Sequence, residues 1–256
     1  IEEIISKLAI AGLIDEEVSA LLWGVVSDFD NDSSNNFNQV SCAIRLLTLL
    51  YREEAGKGKS FSWGHIETIV SNGLSNKAIS NMEFPILKAT GQFLQLVKPT
   101  EFDLVDTSTL KGKAYEDCIE RLVTVIMGEF CADNEYLTKK WFSSAEEAIK
   151  ALFKLHSCAD RIMAKCISSL YIAMSSPNDN NASRITCSTA KMARFFFIIG
   201  QSAIQLLVMA ESYNLQSRKA AKIAAGSSDD AMGDAETNAA IDLEHDTLMS
   251  NALDQG

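Results

Sequence analysis

The chain has 256 residues, of which 47% are hydrophobic and 22% are charged, and this usage excludes a mainly disordered protein. Its formal net charge of −11 repels a phosphate backbone at long range, so we do not expect a free-standing nucleic-acid-binding module. Only three prolines occur, which favours a mostly helical chain because proline disrupts helix interiors. Since the chain begins at Ile1 rather than at methionine, we expect it to be a segment of a longer protein.

Apolar residues recur at steps of three and four along nearly the whole chain, which is the period of an amphipathic helix. The clearest apolar stripes lie within residues 40–51, 118–130 and 162–174. Alternation typical of strands is nearly absent. In chain order the periodicity predicts helices over residues 2–11, 15–28, 37–54, 62–75, 83–97, 112–131, 143–156, 159–175, 185–225 and 235–252.

Two helix starts carry a capping signal. Asp15 is predicted to cap the second helix, and Ser144 with Glu147 forms the capping-box spacing that would open the seventh. Short polar turns such as residues 31–36 and 177–181 separate the helices, so sequence neighbours should pack antiparallel.

Successive helical hairpins are spaced by about 37–50 residues, near the period of HEAT and armadillo repeats. Such hairpins bury their apolar stripes only by stacking on one another. The predicted fold is therefore all-α, a HEAT-repeat α-solenoid of stacked antiparallel helical hairpins over residues 1–225. An acidic flexible linker over residues 226–234 and a C-terminal helix and tail over residues 235–256 should follow. A compact helical bundle is the structural alternative.

The cysteines are dispersed and form no CxxC pair, which favours buried reduced thiols in a cytosolic or nuclear protein over disulfides or zinc ligands. They are Cys42, Cys118, Cys131, Cys158, Cys166 and Cys187. The most apolar run, residues 195–199, follows Arg194 and soon meets Gln201, whereas a membrane span needs about 20 apolar residues. We therefore predict a buried helix there and no membrane partner.

Residues 55–60, Ala-Gly-Lys-Gly-Lys-Ser, superficially resemble a phosphate-binding loop. The motif GxxxxGK[ST] would need its first glycine where Glu53 stands, and it should follow a strand rather than a helix. We predict a flexible basic loop between two helices instead.

Acidic and polar residues alternate from Asp28 to Asn36, as the first ligands of an EF-hand loop do. Ser33 replaces the glycine that the sharp turn needs, and Gln39 replaces the bidentate glutamate at the end. A polar loop that ends a helix is therefore predicted rather than a calcium site.

His65, His156 and His245 are far apart and belong to no HExxH pattern, and no nucleophile elbow occurs. The acidic pairs lie on the polar faces of predicted helices. We therefore expect a protein that is not an enzyme, with no catalytic residue, no cofactor, no metal ligand and no small-molecule substrate.

Basic side chains concentrate at nine positions. In a solenoid the loops at one edge align, so these residues could form a strip that contacts DNA or an acidic partner. The alternative, which the negative net charge favours, is that they balance nearby carboxylates. The candidate contacts are Lys57, Lys59, Lys111, Lys113, Lys139, Lys140, Arg218, Lys219 and Lys222.

The C-terminal third resembles a known family. Residues 191–213 are similar to the helix "L-x-x-G-x-x-A-x-x-x-L-V-x-x-E" of the first non-SMC, HEAT-repeat subunit of condensin. The matching positions are Gly200, Ala203, Leu207, Val208 and Glu211. Residues 231–246 resemble the family's segment "G-A-T-A-E-D-D-x-A-E", although Asp234, Asn238 and the Ala239-Ala240 pair depart from it. Weaker similarity lies upstream, in residues 21–23, 69–74 and 141–155.

This resemblance implies a central to C-terminal piece of a regulatory scaffold that acts in mitotic chromosome condensation. The implied partners are the condensin kleisin, the SMC ATPase heads, the second HEAT subunit and, through basic loops, DNA. The implied location is the nucleus and chromosomes, with a cytoplasmic phase in the cell cycle. Catalysis would belong to the SMC chains.

Other classes remain open. The paralogous subunit of the second condensin complex and the cohesin-associated HEAT proteins are less favoured relatives. A HEAT or armadillo adaptor of another kind, such as a transport receptor or a phosphatase scaffold, is the alternative function. A helical enzyme has little support because no convergent cluster of titratable residues is visible.

Overall fold

The computed structural model describes residues 16–28, 37–56, 62–98, 109–175 and 187–224, and in these ranges all regular structure is helical. The predicted all-α class is confirmed for this part of the chain. A 3₁₀ turn, Glu129–Cys131, accompanies the α-helices. The α-helices within the described ranges are α1 (Glu16–Ser27), α2 (Phe37–Gly56), α3 (Trp63–Gly73), α4 (Asn76–Ser80), α5 (Phe84–Leu94), α6 (Leu110–Met127), α7 (Glu135–Leu155), α8 (Ala159–Ser175) and α9 (Thr189–Ala224).

Seven of these helices overlap closely with predicted ones, and α4 and α7 differ. The short helix α4 was not predicted, and α7 begins eight residues before the predicted start. The predicted helices over 2–11 and 235–252, the linker over 226–234 and the cap Asp15 lie outside the described residues.

The N-terminus of α7 is capped by Asn134 rather than by Ser144. The Oδ1 atom of Asn134 accepts a hydrogen bond from the backbone N–H of Leu137 at 3.1 Å. Ser144 lies buried inside the helix, and its hydroxyl donates to the carbonyl of Phe84 at 2.9 Å. The predicted capping box is therefore wrong, because this serine makes a tertiary hydrogen bond to α5.

The helices pack in two sets. One set contains α2, α5 and α7, in which α5 packs against both of the others. The second set contains α1, α3, α6 and α8, in which each helix contacts the next. Contacts between α1 and α2, α3 and α5, and α6 and α7 join the two sets.

Each central helix contributes large side chains to one continuous core. Fully buried examples are Ile44 in α2, Ile66 in α3, Phe93 in α5, Leu122 in α6 and Trp141 in α7. Burying such a side chain is worth about 1.5–3 kcal/mol relative to leaving it exposed. The apolar stripes that predicted the helices are therefore the faces that hold them together.

The chain divides into two compact units, Ile1–Leu206 and Leu207–Gly256. All the packing above belongs to the first. The described part of the second is the C-terminal portion of α9, whose side chains up to residue 220 are exposed or half-buried.

Helix α9 meets simple criteria for a membrane span. The stretch Thr189–Ala220 has 32 residues and is long and apolar enough to cross a membrane. In its most apolar segment of 18 residues, 22% are buried inside the protein. Core helices of soluble proteins pass the same test, and in α9 Ile198 is fully buried while Phe197 lies 5.5 Å from the Trp141 ring. Phe196 is 62% exposed, so the predicted burial of residues 195–199 holds for one face only. The absence of a membrane partner stays a prediction.

Candidate binding groove

Basic side chains from three helices line an open groove of about 880 Å³. Helix α2 contributes Arg45 and Arg52, α5 contributes Lys88, and α7 contributes Lys139 and Lys140. All are exposed except Lys88, which is half-buried. The groove thus collects five cations on a protein whose net charge is strongly negative.

The helical repeat explains how these side chains share one surface. Arg45 and Arg52 are seven residues apart in α2, which is two helical turns, so they lie on one face. In α5, Pro85, Lys88 and Gln92 follow the same spacing. Because α5 packs between α2 and α7, the polar faces of the three helices adjoin.

Apolar side chains lie between the cations. Leu49, Met82, Phe84 and Pro85 line the groove, together with the hydroxyl-bearing Thr48 and Ser143. Phe84 is only 7% exposed, and its ring centroid lies 6.2 Å from that of Phe130. The groove therefore combines a charged rim with an apolar floor.

One carboxylate, that of Glu83, accompanies the five cations among the described lining residues. Within the described part of the chain, Arg52, Lys88 and Lys139 form no salt bridge. The Lys140 ammonium lies 4.5 Å from the centroid of the Tyr136 ring, a cation–π contact in which the lysine keeps its positive charge. Such clustering creates a local positive potential that favours an anionic ligand.

The predicted basic residues are only partly brought together. Lys139 and Lys140 line the groove, whereas Lys111 and Lys113 lie exposed at the start of α6, where Lys111 is 5.8 Å from the Trp63 ring centroid. Arg218 and Lys219 belong to the second unit, and Lys222 lies in α9 without a described side chain. Lys57 and Lys59 fall outside the described residues. Contact of any of them with DNA stays a prediction.

Sequence reasoning missed Arg45, Arg52 and Lys88. The spacing of the two arginines does place them together on the polar face of a helix, which is a usable signal. What brings Lys88 and the α7 lysines beside them is the tertiary packing on α5, which no local pattern encodes.

A second cavity of about 720 Å³ lies between α1 and α2. Its charged lining residues are Glu17 and Asp28, and exposed Leu21 and Val25 provide an apolar edge. Asp28 is the first position of the Asp-rich loop, and residues 29–36 of that loop lie outside the described ones. This cavity is acidic, in contrast to the groove.

The histidines and acidic residues form no metal centre in the described ranges, where no group of three or more potential ligands is found. The His65 ring stacks on Trp23 with centroids 3.8 Å apart. His156 follows α7, and its Nδ1 accepts from the backbone N–H of Cys158 at 3.0 Å. His245 and residues 57–60 of the Gly-Lys loop lie outside the described residues.

None of the six cysteines forms a disulfide. Cys118, Cys131 and Cys166 are buried as predicted, but Cys42 is exposed, and Cys158 and Cys187 are half-buried. Burial raises the pKa of the Cys118 thiol to about 12 and that of Cys131 to about 11. Both thiols are therefore neutral at pH 7 and poor nucleophiles.

No protein-family model matches the chain, and no curated protein sequence matches it.

Proposed function

We propose that the chain is a HEAT-repeat scaffold segment of condensin, resembling the first non-SMC subunit, and that it is not an enzyme. The observation that carries this proposal is the match of residues 191–213 to that subunit's helix. Five positions keep the family pattern in register, from Gly200 to Glu211. These positions fall within the single continuous helix α9.

The helix packing supports stacked hairpins of the HEAT type. Three proposed repeats pair a helix of one set with a helix of the other: α1 with α2, α3 with α5, and α6 with α7. A fourth repeat would pair α8 with α9, which belongs to neither set. In the last pair, the Tyr171 and Phe195 rings are 6.4 Å apart. Helices of the same set then stack on one another from repeat to repeat, as they do in a solenoid.

The scaffold would hold the condensin kleisin, the SMC ATPase heads and the second HEAT subunit during mitotic chromosome condensation, with DNA as a further contact. It would act in the nucleus and on chromosomes, and in the cytoplasm for part of the cell cycle. ATP hydrolysis would belong to the SMC chains, and this chain would need no cofactor.

Co-expression with a tagged condensin kleisin tests the proposal. We expect the full 256-residue chain to be retained on the tagged kleisin through washing at physiological salt. A cohesin kleisin is the matched control, because a cohesin-associated HEAT protein would prefer it. Failure to bind either kleisin would reject the proposal and leave an adaptor of another class, such as a phosphatase scaffold or transport receptor, as the better assignment.

A further inference from the structure

We propose that the groove formed by α2, α5 and α7 binds an acidic linear peptide segment of a partner protein. The peptide's carboxylates face the basic rim, and one of its apolar side chains packs on the floor beside Leu49 and Met82. This inference rests on the proposed function for the premise that the chain is a scaffold for other proteins. The nature of the ligand comes from the groove itself.

The charge of the groove selects an acidic ligand. Among the described lining residues, Arg52, Lys88, Lys139 and Lys140 outnumber the one carboxylate. The groove is therefore positive although the net charge of the protein is negative, so an acidic segment that is repelled elsewhere is attracted here. Arg52 offers a planar guanidinium group that can pair with a carboxylate through two parallel hydrogen bonds. Lysines from α5 and α7 complete the basic rim.

The apolar floor selects a peptide over a nucleic acid. A phosphodiester backbone has no apolar side chain to bury against Leu49 and Met82, whereas a leucine or phenylalanine in a peptide does. Single-stranded nucleic acids are held largely by stacking on exposed aromatic rings. The one aromatic ring among the described lining residues, Phe84, is buried beneath the surface.

The dimensions agree with a short extended segment. Adjacent packed helices lie about 8–10 Å apart, so the distance from α2 across α5 to α7 is about 20 Å. An extended chain rises about 3.3 Å per residue, so roughly six residues cross this width. The cavity volume of about 880 Å³ also lies within the range of about 300–1,000 Å³ that ligand sites occupy.

Fluorescence anisotropy with the full chain tests the proposal. The probe is a labelled synthetic peptide of repeating Glu-Asp-Leu, compared with one of Glu-Asp-Ser and with single-stranded and duplex DNA of 20 nucleotides or base pairs. We expect the leucine peptide to bind more tightly than the serine peptide and than either DNA. Equal affinity for the two peptides, or tighter binding of DNA that depends on the groove residues, would overturn the assignment.

The groove variant is Arg52→Glu combined with Lys139→Glu, two exposed positions on α2 and α7. Its matched control is Lys113→Glu combined with Lys165→Glu, which makes the same charge change at exposed positions away from the groove. We expect the groove variant to weaken peptide binding by at least about tenfold and the control by less than about twofold. Equal weakening by both pairs would show general charge attraction and contradict the proposal.

Circular dichroism confirms that each variant retains its helices before binding is measured. The kleisin capture separates this proposal from the preceding one. Peptide binding without kleisin capture would reject the condensin assignment and keep the groove, whereas kleisin capture without peptide binding would reject the groove alone.

Discussion

At the scale of single residues, Trp141 and Gly128 depend on each other. The fully buried indole of Trp141 donates through Nε1 to the carbonyl of Val125 at 2.6 Å. That carbonyl belongs to the last turn of α6, where the helix itself supplies no donor. Gly128 ends α6 in the left-handed conformation, with φ of 61°, and its backbone lies directly against the indole.

Replacing Gly128 with alanine should destabilise the protein by about 2–4 kcal/mol. A Cβ atom there would lie 2.7 Å from Trp141 Nε1, and the left-handed backbone adds strain for any residue with a side chain. Urea unfolding measures the change. Gly200→Ala is the matched control because nothing lies within 4 Å of its added Cβ in the middle of α9, and it should stabilise by about 0.5–1 kcal/mol. Equal stability of Gly128→Ala and the wild type would contradict the packing described.

His65 should make stability depend on pH just below neutrality. Burial of the ring against Trp23 lowers the pKa of His65 below its usual 6.5. As the pH falls, His65 therefore binds its proton at a higher pH in the unfolded chain than in the folded chain. The contribution of neutral His65 to the free energy of unfolding is present above pH 6.5 and is lost as the pH falls below it. The unfolding temperature should drop less between pH 7.5 and pH 5.5 for His65→Phe than for the wild type. This variant keeps an aromatic ring beside Trp23. The same drop in both proteins would exclude this role.

At the scale of elements, the start of α9 is anchored to the turn between α6 and α7. The Arg194 side chain, 3% exposed, donates from Nη1 to the carbonyl of Ala132 at 2.7 Å and to the hydroxyl of Thr138 at 3.1 Å. The Ser188 hydroxyl donates to Asp133 at 2.7 Å, and this hydrogen bond is the main cause that lowers the pKa of the Asp133 carboxyl. These polar contacts set the orientation of α9 about its own axis, so that Phe197 faces α7 and Phe196 faces solvent.

Arg194→Met should loosen this attachment. It removes the donor to two acceptors, and hydrogen bonds from charged groups are worth about 1.5–3 kcal/mol each. Hydrogen exchange should then show weaker protection of residues 189–200, while α2 keeps the protection of the wild type. Arg218→Met, an exposed arginine farther along the same helix, is the control and should change little. Unchanged protection of residues 189–200 would show that apolar packing alone holds the helix.

At the scale of the whole molecule, the sequence predicts the helices well where the apolar stripe is long, as in α2, α6 and α8. It fails for α4 because five residues span little more than one helical period. It fails for the start of α7 because Ser144 has the spacing of a cap but makes a tertiary hydrogen bond to Phe84. The periodicity records which face a helix buries, but it does not record which helix covers that face.

The groove shows the same limit for function. The sequence alone predicts Lys139 and Lys140 as candidate contacts because these two lysines are adjacent in the chain. Arg45, Arg52 and Lys88 become relevant only when α5 packs between α2 and α7. The net charge of −11 even argues against a basic site, because a net charge averages over surfaces of opposite sign.

The central position of α5 predicts how a destabilising substitution in this helix should affect the other helices of the first unit. Phe93 in α5 is fully buried, and its ring meets Trp23 of α1 edge-on at 6.0 Å. Phe93→Ala should cost about 3–5 kcal/mol, because the surrounding helices cannot fill the cavity that is left. Because α5 packs against both α2 and α7, these two helices should lose protection from hydrogen exchange together with α5. Phe196→Ala, at an exposed ring, should change stability by no more than about 0.5 kcal/mol. The contacts of α5 predict that α2 and α7 are coupled through it. Loss of protection confined to α5, with α2 and α7 unchanged, would contradict this coupling.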